Sequence, residues 1–439
     1  MKPTVTGRDL ARRVLERVET GGAFASRALS AALDRARDLP AAERALATEL
    51  VYGVLRRRTR LDRALEALAR KGLSALDPRV RIALRVAAYQ ILFLDRVPAY
   101  AAVDDAVEAC KRLRGAGVAG LANAILRRLA ASGEPPLPDA ARDPLGYLVD
   151  ADGLPPWLAT LLLAELPVSE ALAFAGTIGA PAPLALRANR IKLTREELAA
   201  RLAAERPEAA LAPSALAPDA LLARGLDAPA LTSAWREGLF AIQDVGAQLV
   251  VELCGAAPGD RILDACAGRG GKSAQLAALA GNRADIDAVD VAPAKLDEAR
   301  SAFRRLGVRG VTTAAADLTQ PFGEPGPRYH RILLDAPCSG LGVLRRHPEA
   351  LQRLAPDDLG AMASRQLRLL TTVAPLLRPG GALVYAVCSF ARRECDDVVA
   401  AFLSDPAGAR FHEAGDRVRT WPQRDDADAF FAVRLMREG

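Results

Sequence analysis

The sequence is poor in lysine, histidine and aromatic residues, and each shortage narrows what the chain can do. Only six of its 59 basic residues are lysine, so much of its arginine reflects a composition biased towards arginine and alanine. Three histidines, at 330, 347 and 412, give little support for a histidine base. The six cysteines, Cys110, Cys254, Cys266, Cys338, Cys388 and Cys395, form no Cys-x-x-Cys pair. That excludes the usual zinc spacings, so no metal is expected, and the cysteines are expected as free thiols in a reducing compartment. No apolar run reaches the roughly eighteen residues of a membrane span, and the stretch MKPTVTGRDLARRVLERVETGG has no apolar core like that of a signal peptide. The expectation is a cytoplasmic protein with no membrane partner. At 439 residues the chain is too long for one ordinary core, and two or three domains are expected.

Charge is unevenly distributed. Residues 1–130 carry 25 Lys and Arg against 14 Asp and Glu, a surplus of 11, whereas the other 309 residues carry 34 against 39. Arginine bias explains Arg over Lys but not this asymmetry, which suggests a polyanion partner. Apolar residues recur at three- and four-residue spacing in 11–18, 41–55, 61–69, 79–94 and 101–113, which predicts an all-helical domain over 1–130. Its Arg12, Arg13, Arg56, Arg57, Arg58 and Arg60 are candidate phosphate contacts, although any one of them could simply be solvated. Residues 131–156, rich in Pro, Asp and Gly, read as a linker, and 157–240 as a small mixed α+β segment.

From 241 to 439, short apolar runs at 261–266, 285–291, 311–317, 331–338 and 382–389 alternate with helical patterns at 271–280, 293–306 and 357–378. This predicts a mostly parallel sheet covered on both faces, with 430–438 as a last edge strand. Ligands bind beyond the carboxyl ends of such strands, where Asp264, Asp290, Asp317, Asp335 and Cys388 fall. The run Cys266-Ala267-Gly268-Arg269-Gly270-Gly271-Lys272 follows the first strand. Its glycines let a ligand approach the backbone, and the next helix offers free N–H groups. Asp290 suits two ribose hydroxyls and Asp317 an adenine amino group. A phosphate-binding P-loop is disfavoured because Cys266 occupies its first glycine position, and the glycine spacing does not match a dinucleotide fingerprint.

Two cysteines end strands: Cys338 in Asp335-Ala336-Pro337-Cys338-Ser339-Gly340 and Cys388 in Tyr385-Ala386-Val387-Cys388-Ser389. A thiolate that adds to carbon 6 of cytosine makes carbon 5 electron-rich enough to accept a methyl group, then leaves once the carbon 5 proton is removed.

The stretches ELVYGVLRRRTRLDRAL (49–65), LRVAAYQILFLDRVPAYAAVDDAVEACKR (84–112) and GLANAILRRL (120–129) resemble the NusB-like RNA-binding domain of antitermination factors. DACAGRGGKS (264–273), DAPCSGLGVLRRHPE (335–349) and LVYAVCS (383–389) resemble three motifs of RNA cytosine carbon-5 methyltransferases. Together they make the chain similar to bacterial small-subunit rRNA enzymes of the Sun/Fmu type. The resemblance implies an all-α NusB-like N-terminal domain, a small α+β middle segment and a Rossmann-like class I methyltransferase domain. It also implies S-adenosyl-L-methionine as methyl donor and 16S rRNA, met before full subunit assembly, as partner of a monomer. In that family the cysteine matching Cys388 is the nucleophile and the one matching Cys338 assists release, with Asp335 and Lys272 as further catalytic candidates. DNA cytosine methyltransferases use the Pro-Cys cysteine instead, so these roles rest on the resemblance. Candidate donor-binding residues are 266–272, Asp290, Lys295, Asp317 and Asp335. Arg187 and Asn189 match an Arg-x-Asn motif and, with Arg345, Arg346 and His347, are candidate RNA contacts. The chain departs from the family at Gly268-Arg269, usually Ala-Pro, at Val387, usually Thr, and in the extra cations Arg392 and Arg393. A tRNA methyltransferase with the same chemistry, or an RNA-binding antitermination factor with a degenerate methyltransferase fold, remain alternatives.

Overall fold

A computed structural model describes residues 5–226, 228–324 and 326–439. They divide into two units. The first comprises the described residues up to Pro181 together with Leu344–Leu354; the second comprises Ala182–Val343 and Ala355–Gly439.

The first unit is helical. Its opening helix, Gly7–Gly21, starts at a reciprocal cap: Thr6 Oγ1 accepts from Asp9 N at 3.1 Å, and the Asp9 carboxylate accepts from Thr6 N at 3.3 Å. Helices Ala41–Arg56, Arg58–Glu66, Pro78–Phe93, Ala99–Arg114 and Ala116–Ser132 follow. They share a core that includes Leu10, Val14, Leu50, Val54, Leu61, Val86 and Ile125. Gly53 lets Ala41–Arg56 press against Tyr89, since a Cβ there would lie 2.1 Å from the tyrosine ring. Within this apolar core Arg85 is buried, bonded to Asp62 at 2.6 Å and to Glu19 at 2.8 Å.

The expected linker is part of this unit. Arg60 pairs with Glu134, Arg63 pairs with Asp150 at 3.1 Å, Thr59 donates to the Gly153 carbonyl at 3.0 Å, and Pro144–Asp150 is a helix that buries Leu148. Arginines on one helix therefore hold a Pro-rich stretch that composition alone marks as loose. The expected mixed segment 157–240 is also divided. Helices Pro156–Glu165 and Val168–Ile178 belong to the first unit, and its strands belong to the second. The first unit also takes in Leu344–Leu354. There Glu349 Oε1 accepts from Ala25 N at 3.1 Å, and Arg353 donates to the Val18 and Ala23 carbonyls at 2.9 and 2.7 Å.

The second unit holds two sheets. Strands β1 (Leu184–Ala188), β2 (Ala210–Pro213), β3 (Ala220–Arg224) and β4 (Phe240–Ile242) form an antiparallel sheet in the order β2-β3-β1-β4. The larger sheet contains β5 (Arg261–Asp264), β6 (Asp285–Asp290), β7 (Val311–Ala315), β8 (Tyr329–Asp335), β9 (Leu377–Val387), β10 (Phe411–Glu413), β11 (Val418–Arg419) and β12 (Phe431–Arg437). Its order is β10-β12-β9-β8-β5-β6-β7, with β11 paired to β12. The pairs from β9 through β7 are parallel. Alternate strand residues feed two cores: Leu263, Ile332, Leu334 and Tyr385 on one face, Ile262, Leu333 and Val384 on the other. Covering both faces is what a parallel sheet requires. The strand expected at the edge, β12, instead lies between β9 and β10 and runs antiparallel to both. Its unbroken apolar start, Phe431–Val433, is buried accordingly.

The Arg85 triad gives a stability test. Removing the cation leaves Glu19 and Asp62 only the looser Arg58, at 3.8 and 3.9 Å, and breaking a buried pair in this way costs about 3–5 kcal/mol. Arg85→Ala should lower the urea midpoint of helix loss in the full chain, followed by circular dichroism. An unchanged midpoint would show that the triad contributes no net stability.

Candidate active site

The parallel pairing of β8 with β9 ends at Asp335 opposite Ala386. Beyond it the chains carry Cys338 and Cys388, whose sulfurs lie 3.2 Å apart. Both are partly buried. Their contact raises the Cys338 thiol well above the ordinary cysteine value, helped by burial and by the Glu394 and Asp335 carboxylates. The loop after Cys338 turns back onto β9's exit: Gly342 N donates to the Cys388 carbonyl at 2.9 Å, and Ala429 N donates to the Gly342 carbonyl at 3.0 Å. Only glycine fits there, because a Cβ on Gly342 would lie 1.9 Å from the Ala429 oxygen.

Asp335, the last residue of β8, accepts from Lys272 Nζ at 2.6 Å. Burial works against the lysine charge, but the Asp335 carboxylate outweighs it and holds the ammonium above its ordinary pKa. The four expected catalytic residues, Lys272, Asp335, Cys338 and Cys388, thus gather at and beyond the ends of β5, β8 and β9.

The glycine loop follows β5. Gly268 and Gly270 take φ of +56° and +76°, which favours glycine at both. A Cβ at Gly270 would strike the Phe303 ring at 2.6 Å, whereas one at Gly271 would meet nothing within 4 Å, so the loop is packed behind and open in front. The helix Gly271–Leu279 begins there without a side-chain cap. Its first N–H groups are therefore open to a ligand. Asp290, ending β6, is buried and accepts from Gly268 N and Ala292 N, both at 2.9 Å, leaving further lone pairs on each oxygen. Lys295 lies 3.7 Å from it. Asp317, just after β7, is exposed and accepts from Thr319 N at 3.0 Å and Oγ1 at 2.8 Å. Ala267 N donates to the Val289 carbonyl at 2.9 Å. Cys266 sits beneath the loop, its thiol raised by burial, and Arg269 faces solvent in a 2.6 Å pair with Glu298.

Several expected RNA contacts are otherwise engaged. Arg187 and Asn189 are only 2% and 3% exposed. Arg187 donates to Gln243 and, at 2.8 Å, to the Gly271 carbonyl, so it braces the glycine loop from behind. Asn189 Nδ2 donates to the Gly238 and Leu306 carbonyls, both at 2.8 Å. Neither can reach a phosphate, because the motif packs the small sheet against the large one. Arg345 is 5% exposed, and with Arg346 and the half-buried His347 it belongs to the helical unit. Arg12 is bound by Asp9 and Asp105 at 2.8 and 2.5 Å. Arg56 and Arg57 lie over the Tyr52 and Phe93 rings, and Arg58 lies 3.8–3.9 Å from Glu19 and Asp62. Arg13 is exposed.

Of the strand-end carboxylates read from the sequence, Asp264 is fully buried and accepts from Ser273 Oγ at 2.6 Å. One group escapes the sequence reading: Glu394, also fully buried, accepts from the serines that follow the two cysteines. In the sequence Glu394 stands in Arg392-Arg393-Glu394-Cys395-Asp396-Asp397, a charged run in which nothing hints at burial.

The family model for 16S rRNA methyltransferase RsmB/F matches residues 253–436, and the NusB family model matches residues 6–131. The chain is 32% identical to the probable ribosomal RNA small subunit methyltransferase B of Bacillus subtilis (strain 168), over 98% of this chain and 99% of that protein. It belongs to the RsmB/F family of 16S rRNA methyltransferases. Another member, ribosomal RNA small subunit methyltransferase B of Pseudomonas putida, is 36% identical over 97% of each chain. Among solved structures, PH0851 has the same fold with a TM-score of 0.82 at 24% identity, covering 99% of this chain and 98% of that one. The RsmB/F member described here thus has the expected fold class, a NusB helical region followed by a Rossmann-like methyltransferase. Among the described residues no helix is long and apolar enough to cross a membrane.

Asp264 makes stability depend on pH. Burial pushes its carboxyl up to about 6 from the ordinary 3.8, against the pull of the Ser273 bond. A raised acid favours folding fully below pH 4, and that contribution disappears as pH rises through 6. The loss amounts to about 3 kcal/mol by neutral pH. In ligand-free protein, Asp264→Asn should therefore gain stability relative to the parent as pH rises from 4 to 7. A difference flat with pH would contradict the assignment.

Proposed function

We propose that this chain transfers a methyl group from S-adenosylmethionine to carbon 5 of a cytosine in small-subunit rRNA, through a covalent bond between Cys388 and carbon 6 of the base. The observation that carries the reading is the pair of thiols 3.2 Å apart at adjacent strand ends, beside the Lys272–Asp335 pair. A single nucleophile needs no second thiol at that distance. A mechanism with one sulfur to attack and another to assist release does.

The glycine loop suits the donor: it is open in front, lies beside uncapped helix N–H groups, and faces the buried Asp290. Residues 266–272 would hold its amino-acid part, Asp290 with Lys295 its ribose, and Asp317 its adenine. When bound, S-adenosylmethionine supplies an electrophilic methyl group. The chain's own residues do the rest. The two sulfurs are in hydrogen-bond contact, in which either can donate; Cys388 is the attacking sulfur and Cys338 the assisting thiol. The Cys388 sulfur bonds to carbon 6, and carbon 5 gains the nucleophilic electron pair. Lys272, fixed by Asp335, presents an N–H towards the polar edge of the base. After methylation a base takes the carbon 5 proton, the electrons of that C–H bond restore the C5–C6 double bond and expel Cys388 from carbon 6 as a thiolate, and Cys338 assists this release. The base must be swung out of its stack to reach these groups, which favours an unpaired cytosine. The basic helical region 1–130 binds the RNA backbone, with exposed arginines such as Arg13 rather than the paired Arg12. RNA not yet fully assembled into the subunit is the substrate of a monomeric enzyme.

Two measurements test this. Asp290→Ala should weaken calorimetric binding of S-adenosylmethionine by about 1–3 kcal/mol, the cost of unmade bonds to a charged group. Unchanged affinity would remove Asp290 from the donor site. Cys388→Ala should abolish both methylation and covalent capture of an rRNA transcript, whereas Cys338→Ala should accumulate a protein–RNA adduct that survives a denaturing gel. The reverse pattern would exchange the roles of the cysteines, and full activity in both variants would defeat the covalent mechanism.

A further inference from the structure

A carboxylate with no exposed surface must be repaid by hydrogen bonds, because an unpartnered buried charge costs several kcal/mol. Glu394 is 0% exposed and is well repaid. Its Oε1 accepts from Ser339 N at 2.8 Å and from Gln366 Nε2 at 3.0 Å. Its Oε2 accepts from Ser389 Oγ at 2.7 Å and from Ser339 Oγ. The partners fall on both cysteine-bearing segments, since Ser339 follows Cys338 and Ser389 follows Cys388.

A second layer closes the frame on the other side of each cysteine. Gln366 Nε2 also donates to the carbonyl of Pro337, which precedes Cys338, at 3.0 Å. Tyr385, three residues before Cys388, donates its hydroxyl towards Gln366 Oε1 at 3.0 Å and the Glu394 carbonyl at 2.5 Å. Each cysteine is therefore bracketed in sequence by residues of one buried network. The network lies beyond the regular β8–β9 ladder, which stops at Asp335 and Ala386, before either cysteine. Past that point Gly342 N still donates to the Cys388 carbonyl, and the buried carboxylate adds a tie to both cysteine-bearing segments at once.

We infer that Glu394 is a positioning residue that holds the Cys338 and Cys388 sulfurs at working distance by clamping Ser339 and Ser389. It touches neither sulfur by hydrogen bond and acts through its neighbours. This rests on the two-thiol reading above, but the spacing it sets can be measured without catalysis. Displacement of a reacting group by about 1 Å costs on the order of 100-fold in rate. Glu394→Ala is therefore expected to lower kcat on the order of 100-fold with KM for an rRNA transcript and affinity for S-adenosylmethionine nearly unchanged. Glu394→Gln should recover part of the rate, because its carbonyl still accepts from Ser339 N and Gln366 while the serine hydroxyls turn to accept from its amide.

Phenylarsine oxide reports the spacing directly. It reacts with two adjacent thiols to form two arsenic–sulfur bonds and release one water, with no change in oxidation state. The parent full chain should lose the Cys338 and Cys388 thiols together, at one reagent per chain. Glu394→Ala should do so at least tenfold more weakly. Should that variant fail to fold, Ser339→Ala/Ser389→Ala, which keeps the carboxylate, should show the same paired loss of rate and arsenical capture. Folded variants with parental kcat and parental capture would overturn the inference. A parent that captures the arsenical but never methylates or traps RNA would instead defeat the covalent methyl-transfer reading, and the capture values would still decide on the clamp.

Discussion

The parallel pairing of β8 with β9 is the constraint on which the site depends. It brings together two segments separated by fifty residues, so that Cys338 and Cys388 emerge from neighbouring strand ends. A parallel pair cannot be joined by a tight turn, so the intervening chain must cross over the sheet. It uses that crossover twice. Leu344–Leu354 folds with the helical unit, and the helix Pro356–Val373 returns along the sheet and carries Gln366 to the network beneath the cysteines. The crossover that the topology demands thus supplies a residue for the site.

The small sheet serves the same end from the opposite side. Its Arg187 is buried without a carboxylate in hydrogen-bond contact, and burial pulls its pKa down to about 10. An arginine in that setting is costly, and its bonds to Gln243 and the Gly271 carbonyl offset the cost only by fixing the start of the helix that bears Lys272. The same cost-and-return argument applies to Arg85 in the helical unit, where two carboxylates compensate one cation and the return is helix register.

Much of this was legible in the sequence. Periodicity separated helical from alternating regions, and the strand-end positions of Asp290 and Asp335 were readable, because both signals are local. The family resemblance added the cysteine roles, which chemistry alone leaves symmetrical. What was not legible is tertiary. Arg187 and Asn189 read as a surface motif although they are buried, because an arginine's composition signal is the same whether its partner is a phosphate or a carbonyl oxygen. β12 read as an edge strand because its pairing with β10 depends on a three-residue strand too short to register as a pattern. The Pro-rich stretch 131–156 read as a linker because the arginines that hold it lie some seventy residues earlier. Glu394 went unassigned because its partners come from three separate segments.

Four carboxylates in and around the candidate site show how one functional group is given different tasks by its donors. Asp264 has one hydroxyl donor and no exposure, so burial wins and its proton is retained to about pH 6. Asp290 has two backbone N–H groups, which orient it without using all its lone pairs and so leave it able to accept from a ligand. Asp335 has a single ammonium partner, which fixes the position of Lys272 as much as its own. Glu394 has four donors from three segments, which leaves it no capacity for a ligand and makes it a joint. Lone pairs left over after internal bonding distinguish the two ends of this range: Asp290 keeps the capacity to accept a further bond, whereas Glu394 has used its own on the protein.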